Sequence, residues 1–231
     1  MIEDPPLLTI RRNFPRPPAD QVAALKGVPT GFVVDCMNGR GGLDYAIKAA
    51  DPNQARFVGV AITCETGPAD NLAMMAAIHF AQPGDVVMVA ADSFTATCVS
   101  GDLLLGMAQN QGVIAVVTDG LLRDLEGVIG VGLPSFSRGI TPNSCARNGP
   151  GTVGLPITIG GVAVSPGDLV LGDDDGVVVI PQDRAKQVLW QLEQVKAAEA
   201  NLTNRVKNGM KVEDLIGDLL RSDQVKYVQE G

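Results

Sequence analysis

The stretch GDLLLGMAQNQGVIAVVTDGLLRD, residues 101–124, predicts a helix followed by a strand, with polar residues gathered at its two ends. The pattern favours a helix near residues 101–111, and VIAVVTD at 113–119 is typical of a buried strand. In open α/β sheets the start of a helix and the carboxyl end of a strand meet at one edge, where ligands bind. We therefore expect the two polar ends of this stretch to share a crevice.

The residues on either side extend the same alternation. FVGVAITCE and DVVMVAA read as strands on either side of a helix predicted over 69–81, which gives βαβαβ order between residues 56 and 119. Within that helix the spacing predicts one apolar face formed by Leu72, Met75, Ala76 and His79. The fold class is accordingly α/β, with helices packed on a sheet.

The flanking segments complete the organisation. A proline-rich arm is predicted over residues 1–18, either on the surface or reaching toward a neighbouring subunit, and a single domain over residues 19–231. Two short helices are expected early in that domain, one closed by Gly27 and one capped by Thr30. Residues 133–181 read as mainly β, and DRAKQVLWQLEQVKAAEANLTNRV as a long amphipathic helix, with a last short helix after it.

Composition limits the classes of function. The net charge of −8 opposes binding to a polyanion, so we expect no nucleic-acid partner. No apolar run approaches the ~18 residues of a membrane span, and the amino terminus lacks the basic and apolar parts of a signal peptide, so we expect a cytoplasmic protein. The four cysteines match neither a zinc knuckle nor a disulfide framework. The single histidine, His79, is expected to pack or cap rather than catalyse.

Two glycine-containing motifs are rejected as ligand sites. Gly149, Gly151 and Gly154 fit the spacing of a dinucleotide-binding loop, but Pro150 intervenes and a strand follows where a helix is required. The run DDDG at 173–176 lacks the alternate spacing of a calcium loop and reads as a hairpin turn.

The candidate chemistry lies at the two ends of residues 101–124. A guanidinium at Arg123 could clamp a carboxylate or carbonyl, and the carboxylates of Asp102 and Asp124 could hold a hard divalent cation through oxygen and water. The residues alone equally allow Asp102 to cap a helix and Arg123 and Asp124 to form a loop ion pair.

Asp102, twenty intervening residues, then Arg123 and Asp124 form a D-x20-R-D pattern, and this pattern resembles the signature of class II pyruvate aldolases in the RraA-like family. That group includes 4-hydroxy-4-methyl-2-oxoglutarate and 4-carboxy-4-hydroxy-2-oxoadipate aldolases. The likeness runs from about residue 20 to 210 and takes in PGD at 83–85, GLPSFSRGITP and PGDLVLGDDDGVVVIP. It implies an αββα sandwich, also described as a swivelling β/β/α domain, assembled as a homotrimer or a hexamer.

The resemblance also implies roles for particular residues. Asp124 would ligate Mg²⁺ or Mn²⁺ directly, Asp102 would orient metal-bound water, and Arg123 would bind the 2-oxoacid. The backbone amides of the segment Gly101, Asp102, Leu103 and Leu104 would hold its carboxylate. Glu199, on the apolar stripe of the long helix, would act in proton transfer from a neighbouring subunit, although a rim position paired with Lys196 or Arg205 is also open.

Two further acidic positions carry open interpretations. Asp35 stands where such aldolases have a longer glutamate, which leaves its role undecided. Asp70 and Asn71 match a DN pair of the family that would lie near substrate, but helix capping by Asp70 explains it equally well.

The implied reaction is metal-dependent retro-aldol cleavage of a 4-hydroxy-2-oxoacid to pyruvate and a second carbonyl compound, with oxaloacetate decarboxylation through the same enolate. A Schiff base is the rival chemistry, with lysines available at Lys26, Lys48, Lys186 and Lys196. The alternative function is that of the related ribonuclease E activity regulator A, which acts by binding protein. That branch lacks the aspartate after the arginine, whereas this chain retains Asp124.

Overall fold

The computed structural model describes residues 4–228. Its strands are β1 Leu8–Ile10, β2 Lys48–Ala49, β3 Phe57–Thr66, β4 Asp85–Ala90, β5 Cys98–Ser100, β6 Ala115–Thr118, β7 Leu121–Leu122, β8 Ser135–Ser137, β9 Gly151–Val153, β10 Ile157–Ile159, β11 Val162–Val164, β12 Leu169–Asp173 and β13 Gly176–Ile180. Its α-helices are α1 Ala19–Ala24, α2 Thr30–Cys36, α3 Leu72–Phe80, α4 Asp102–Asn110, α5 Leu125–Val131, α6 Ala185–Lys207 and α7 Glu213–Leu220. The predicted α/β class and the long C-terminal helix are confirmed.

A nine-stranded mixed sheet forms the centre. Seven strands follow the order β1-β9-β3-β4-β6-β8-β2, and the hairpin of β12 and β13 joins through β3. Strands β3, β4, β6 and β8 run parallel, as crossover connections require. The run DDDG forms the turn of the β12–β13 hairpin, as predicted.

The two faces of this sheet pack against different material. Ile62, Val87 and Val116 face a cluster that includes residues of α3, α4 and α5. Their neighbours in the chain, such as Ala61, Val86 and Val117, face a second cluster with residues of β10 to β13. Because successive side chains of a strand point to opposite faces, these almost wholly apolar strands are buried on both sides.

Several predicted details are corrected. Thr30 does not cap α2; its hydroxyl donates to Asp173 Oδ1 at 2.8 Å, and Pro29 occupies the cap position. Helix α3 begins at Leu72 rather than 69, and its buried side is Ala73, Met74, Ala77 and Ile78. His79 lies on the exposed side, with its ring against Phe80 at 4.8 Å between centroids. The apolar face predicted around Met75 and His79 is therefore the wrong one.

The segment predicted as an arm contributes to the sheet over part of its length. β1 pairs in parallel with β9, and Arg16 forms a bidentate ion pair with buried Asp85 at 2.5 and 2.8 Å. Asp85 also accepts the backbone N–H of Gln82, so its burial is compensated.

The described chain divides into two compact units, of which the first ends at Leu192 and the second begins at Glu193. The second unit contains the later turns of α6 and all of α7. The single domain over residues 19–231 stays a prediction. Within residues 4–228, no helix has the length and apolar character needed to cross a membrane.

Candidate functional site

The two ends of residues 101–124 meet, as the sequence predicts. Short parallel strands β5 and β7 pair, and the N–H of Arg123 donates to Ser100 O at 3.0 Å. Arg123 and Asp124 follow β7, a two-residue strand that the sequence did not predict, rather than β6 itself. This pairing fixes the start of α4 beside the Arg123–Asp124 dipeptide.

Gly101 is required here by space and not by its backbone conformation. Its φ of −140° is available to any residue, but a Cβ at this position would lie 2.8 Å from Asp124 Oδ2 and 3.1 Å from Arg123 Cγ. The absence of a side chain at Gly101 therefore lets both functional side chains pack against the start of α4.

Asp124 adopts an uncommon conformation. Its φ and ψ are 55° and 50°, in the left-handed region, and although it precedes α5 its side chain does not cap that helix. Instead, Oδ2 lies 3.0 Å from Nε of Arg123, in an ion pair. The ion pair left open by the sequence is thus present. Strained backbone of this kind clusters at functional sites.

Asp102 is the first residue of α4, and Gly101 is its cap residue. Asp102 Oδ1 accepts the N–H of Leu103 at 2.7 Å. Gly127 of α5 faces it so closely that a Cβ there would lie 2.4 Å from Asp102 Oδ2. The carboxylate is therefore confined by α5, and one of the amides expected to hold a substrate carboxylate is engaged by Asp102.

These residues line a cleft of about 260 Å³, near the lower end of the ~300–1,000 Å³ typical of small-molecule sites. It brings together the six residues that the sequence singled out in this segment: Gly101, Asp102, Leu103, Leu104, Arg123 and Asp124. Their roles toward a ligand stay predictions. We call the part of the cleft formed by residues 101–104 and 123–124 the signature wall.

A second side of the cleft comes from Asn71, for which the sequence left a place near substrate open, and from residues that the sequence did not assign to the site. Asn71, Ser144, Cys145 and Arg147 line it, together with Met75, Cys98, Ser100 and Met107. We call residues 69–71 and 144–149 the loop wall. The DN pair was the only sequence signal for this wall, because the remainder has no regular pattern.

Asp70 holds the loop wall together. Its buried carboxylate accepts from the N–H groups of Asn148 at 2.5 Å and Gly149 at 3.1 Å through Oδ2, and from that of Leu72 at 2.8 Å through Oδ1. Backbone hydrogen bonds between Ala69, Asn71 and Ala146 reinforce the contact. Asp70 therefore serves both the start of α3 and the loop.

Asn71 lines the cleft and carries a buried amide oxygen without a partner in the described part of the chain. Its Nδ2 donates to Val99 O at 3.1 Å, whereas Oδ1 has no hydrogen-bond partner among residues 4–228. The residue is 6% exposed. Because an unpaired buried acceptor is costly, this atom marks a position for a donor from a ligand or water.

The two walls are linked through Ser144, whose hydroxyl accepts a hydrogen bond from Nη1 of Arg123. Beside it, burial, and to a smaller extent the neighbouring thiol of Cys98, together raise the pKa of the Cys145 thiol to about 11. Both thiols are free. Cys145 is consequently a weak nucleophile at neutral pH.

Other predicted residues do not line this cleft. Asp35 is exposed on α2 and borders a different depression, beside Thr30 and Asp175. Glu199 lies in α6 within the second unit, so its role stays a prediction. No lysine of the described chain lines the cleft, which disfavours a Schiff base at this site.

The donor set fits a hard divalent cation that keeps several water ligands. Within residues 4–228 no cluster of three or more histidine, cysteine, aspartate or glutamate side chains is arranged for a metal ion. Asp102 and Asp124 nevertheless supply carboxylate oxygens on the signature wall. Mg²⁺ is commonly bound by one or two carboxylates plus water and substrate, so the chemistry of these two residues is compatible with that ion, and the cofactor stays a prediction.

Comparison with known proteins identifies the family in which this cleft occurs. A family model described as RraA-like, Aldolase/RraA, matches residues 30–179, which include both walls. The chain belongs to the RraA-like family. A relative from Halalkalibacterium halodurans, named "Putative 4-hydroxy-4-methyl-2-oxoglutarate aldolase", is 35% identical over 178 residues, covering 77% of this chain and 84% of that protein.

Two solved structures share the fold. An uncharacterised protein from Pseudomonas syringae superposes with a TM-score of 0.75 at 25% identity, covering 87% of this chain and 98% of that one. A Streptomyces coelicolor member of the RNase ES inhibitor RraA family superposes with a TM-score of 0.74 at 29% identity. The match covers 82% of this chain and 100% of that one. The predicted RraA-like α/β fold is thus confirmed, while the names of relatives divide between an aldolase and an inhibitor.

Proposed function

We propose that this RraA-like protein is a divalent-metal-dependent aldolase. It cleaves a 4-hydroxy-2-oxoacid, such as 4-hydroxy-4-methyl-2-oxoglutarate, to pyruvate and a second carbonyl compound. The observation that carries the proposal is the convergence of Arg123, Asp124 and Asp102 in one cleft. The name of the Halalkalibacterium relative supports the same reaction.

Arg123 binds the 2-oxoacid end of the substrate. Its side chain is oriented by Asp124 and Ser144, so its guanidinium meets the substrate in a restricted geometry. The amides at the start of α4 hold the carboxylate, because they precede the first intrahelical bond, which Leu105 donates to Gly101 O.

Charge stabilisation gives the rate gain. Cleavage leaves negative charge on the departing pyruvate enolate, and Arg123 stabilises that charge as it develops. Asp124 and Asp102 would hold the cation, Mg²⁺ or Mn²⁺. When bound, it supplies Lewis-acid polarisation of the 2-oxo group and offsets enolate charge.

Proton transfer uses carboxylates. Asp102, confined by Gly127, would orient a hydroxide ion, which takes the proton of the 4-hydroxyl and becomes water. We assign the return of a proton to the enolate to a relay that includes Glu199 of a neighbouring subunit in a homotrimer or hexamer. Oxaloacetate yields the same enolate by loss of CO₂, so decarboxylation accompanies the aldolase activity.

The test is pyruvate release from 4-hydroxy-4-methyl-2-oxoglutarate and from oxaloacetate, with Mg²⁺ or Mn²⁺ and with EDTA. Arg123→Ala and Asp124→Ala should each lower kcat/KM by about 1,000-fold or more, since each removes a charge that acts on the transition state. EDTA should abolish release from the wild-type protein.

The matched control is the exposed pair of Arg56 and Asp174, 3.8 Å apart and outside the cleft. Arg56→Ala and Asp174→Ala should leave turnover unchanged. Release that persists in EDTA, or that survives Asp124→Ala, contradicts the metal-dependent reaction. Covalent labelling of a lysine by borohydride with pyruvate would favour a Schiff base instead.

A second candidate function is inhibition of a ribonuclease through protein binding. It is favoured by the likeness to the Streptomyces structure and to one named as the RNA-processing inhibitor RraA from Thermus thermophilis, which has a TM-score of 0.61 at 27% identity and covers 67% of this chain and 93% of that one. Tight binding to purified ribonuclease E that is unaffected by Asp124→Ala, without pyruvate release, would select this function.

A further inference from the structure

The cleft contains two guanidinium groups in different states. Arg123 is engaged with Asp124 and Ser144. Arg147 lines the same cleft but makes no ion pair or side-chain hydrogen bond with any of residues 4–228. One cation of the cleft is therefore free to meet a ligand anion.

The backbone that carries Arg147 is held from both sides. Ala146 exchanges backbone hydrogen bonds with Ala69 at 2.7 Å and Asn71 at 3.1 Å, and the N–H groups of Asn148 and Gly149 both bind buried Asp70. The Arg147 side chain thus extends, without a partner among residues 4–228, from backbone that is held in place. Such an arrangement suits a long cation that closes on a bound group.

The rest of the cleft would reject a second anion. Asp102 and Asp124 are negative, while Met75, Leu103 and Met107 are apolar. The cation proposed on Asp102 and Asp124 offsets their charge at the 2-oxoacid end, but a carboxylate beside the apolar side chains would lose hydration unless a further cation met it. Arg147 is the only other cationic side chain of the described chain that lines the cleft.

We propose that Arg147 is a specificity-determining residue that binds a second carboxylate, at the end of the substrate remote from the 2-oxoacid group. Arg147 would thereby select 4-hydroxy-2-oxo-dicarboxylic acids, the class to which the substrate proposed above already belongs, over monocarboxylic ones. This deepens the proposed function and assumes that Arg123 takes the 2-oxoacid end. Asp70 is the positioning residue for Arg147.

Equilibrium binding tests whether Arg147 binds the second carboxylate, and it needs no turnover. The probes are 2-oxoglutarate and 2-oxopentanoate, which share the 2-oxoacid group and chain length but differ in the terminal carboxylate, titrated calorimetrically with Mg²⁺ present. The wild-type protein should prefer 2-oxoglutarate by about 10- to 100-fold, the range of one charge-assisted contact. Arg147→Met should reduce that preference to about threefold or less, and Arg147→Lys should retain part of it.

Arg56→Met is the matched control, since Arg56 is exposed and lies outside the cleft. It should leave the preference unchanged, and thermal unfolding should be the same for all variants. A preference that survives Arg147→Met, or a wild-type protein that does not discriminate the two probes, overturns the proposal.

Turnover measurements distinguish failure of the Arg147 inference from failure of the proposed aldolase function. The substrates are 4-hydroxy-4-methyl-2-oxoglutarate and 4-hydroxy-4-methyl-2-oxopentanoate, which lacks the second carboxylate. Arg147→Met should lower kcat/KM about 10- to 100-fold for the first and leave the second unchanged. If neither is cleaved while binding still depends on Arg147, the aldolase proposal fails and this inference stands. Equal losses on both substrates overturn the inference alone.

Discussion

The two walls of the cleft are built by different means. The signature wall is positioned by regular structure, because β5 pairs with β7 and α4 begins directly after β5. The loop wall has no strand or helix between Ser144 and Gly149, and one buried carboxylate, Asp70, holds it. Chemistry common to a family can thus be fixed by secondary structure, while the wall that selects substrates is held by a few replaceable hydrogen bonds.

Among substitutions that change how the walls are held and leave the charged side chains in place, the largest expected effect tests how rigid the signature wall is. Gly127→Ala places a Cβ 2.4 Å from Asp102 Oδ2 and 2.7 Å from Asp102 Cβ, so the carboxylate must move. A displacement of about 1 Å at a reacting group costs about 100-fold in rate, and we expect a loss of that size in kcat/KM for pyruvate release.

Gly130→Ala is the control within the same helix, since a Cβ there has nothing within 4 Å. It should keep full activity and raise the free energy of unfolding by about 0.5–1 kcal/mol, because alanine favours helix. Equal activity of the two variants would show that Asp102 tolerates displacement.

The next effect tests whether one side chain holds the loop wall. Asp70→Ala leaves the N–H groups of Leu72, Asn148 and Gly149 without their acceptor, and we expect the free energy of unfolding to fall by about 2–4 kcal/mol. Amide exchange at Asn148 and Gly149 should accelerate most. Asp174→Ala, at an exposed site, is the control; unchanged exchange at the two amides would show that backbone contacts alone hold the wall.

The last prediction, which is expected to change neither activity nor stability, concerns how well the loop wall shields the Cys145 thiol from water. Burial raises the pKa of the Cys145 thiol from 9.0 to about 11, so the reactive thiolate is scarcer at pH 8 by about 100-fold than for an ordinary thiol. Alkylation of Cys145 by iodoacetamide, followed by mass spectrometry, should be correspondingly slow and should rise about tenfold per pH unit up to about pH 11. Cys145→Ser identifies the site, and a rate that levels off near pH 9 would contradict a buried thiol.

The sequence predicted the elements with a strong local signal. Apolar runs identified β3 and β4, the run DDDG gave the β12–β13 turn, and a long amphipathic period gave α6. The buried face of α3 was missed because LAMMAAIHF is apolar all round, which leaves no periodicity to follow. Strand β1 was missed because its partner β9 lies about 140 residues later in the chain.

The difficulty of predicting contacts between residues far apart in the chain also applied to the site. The residues of the signature wall stand together in one segment, so their spacing carried the prediction. Those of the loop wall meet through contacts such as that of Asp70 with Asn148, which are 78 residues apart in the chain. No local pattern around either residue predicts its partner. The thiol pair and Arg147 were invisible for the same reason.

The backbone conformation of Asp124 has an evolutionary consequence. Left-handed residues are tolerated chiefly as glycine, asparagine or aspartate, and of these only aspartate carries a charge. A single exchange to asparagine would therefore preserve the turn while removing the carboxylate. Under the proposed function, an enzyme and a purely binding protein of this fold can stand one nucleotide change apart, because the exchange keeps the left-handed backbone at residue 124 accessible while it removes the charge that pairs with Arg123.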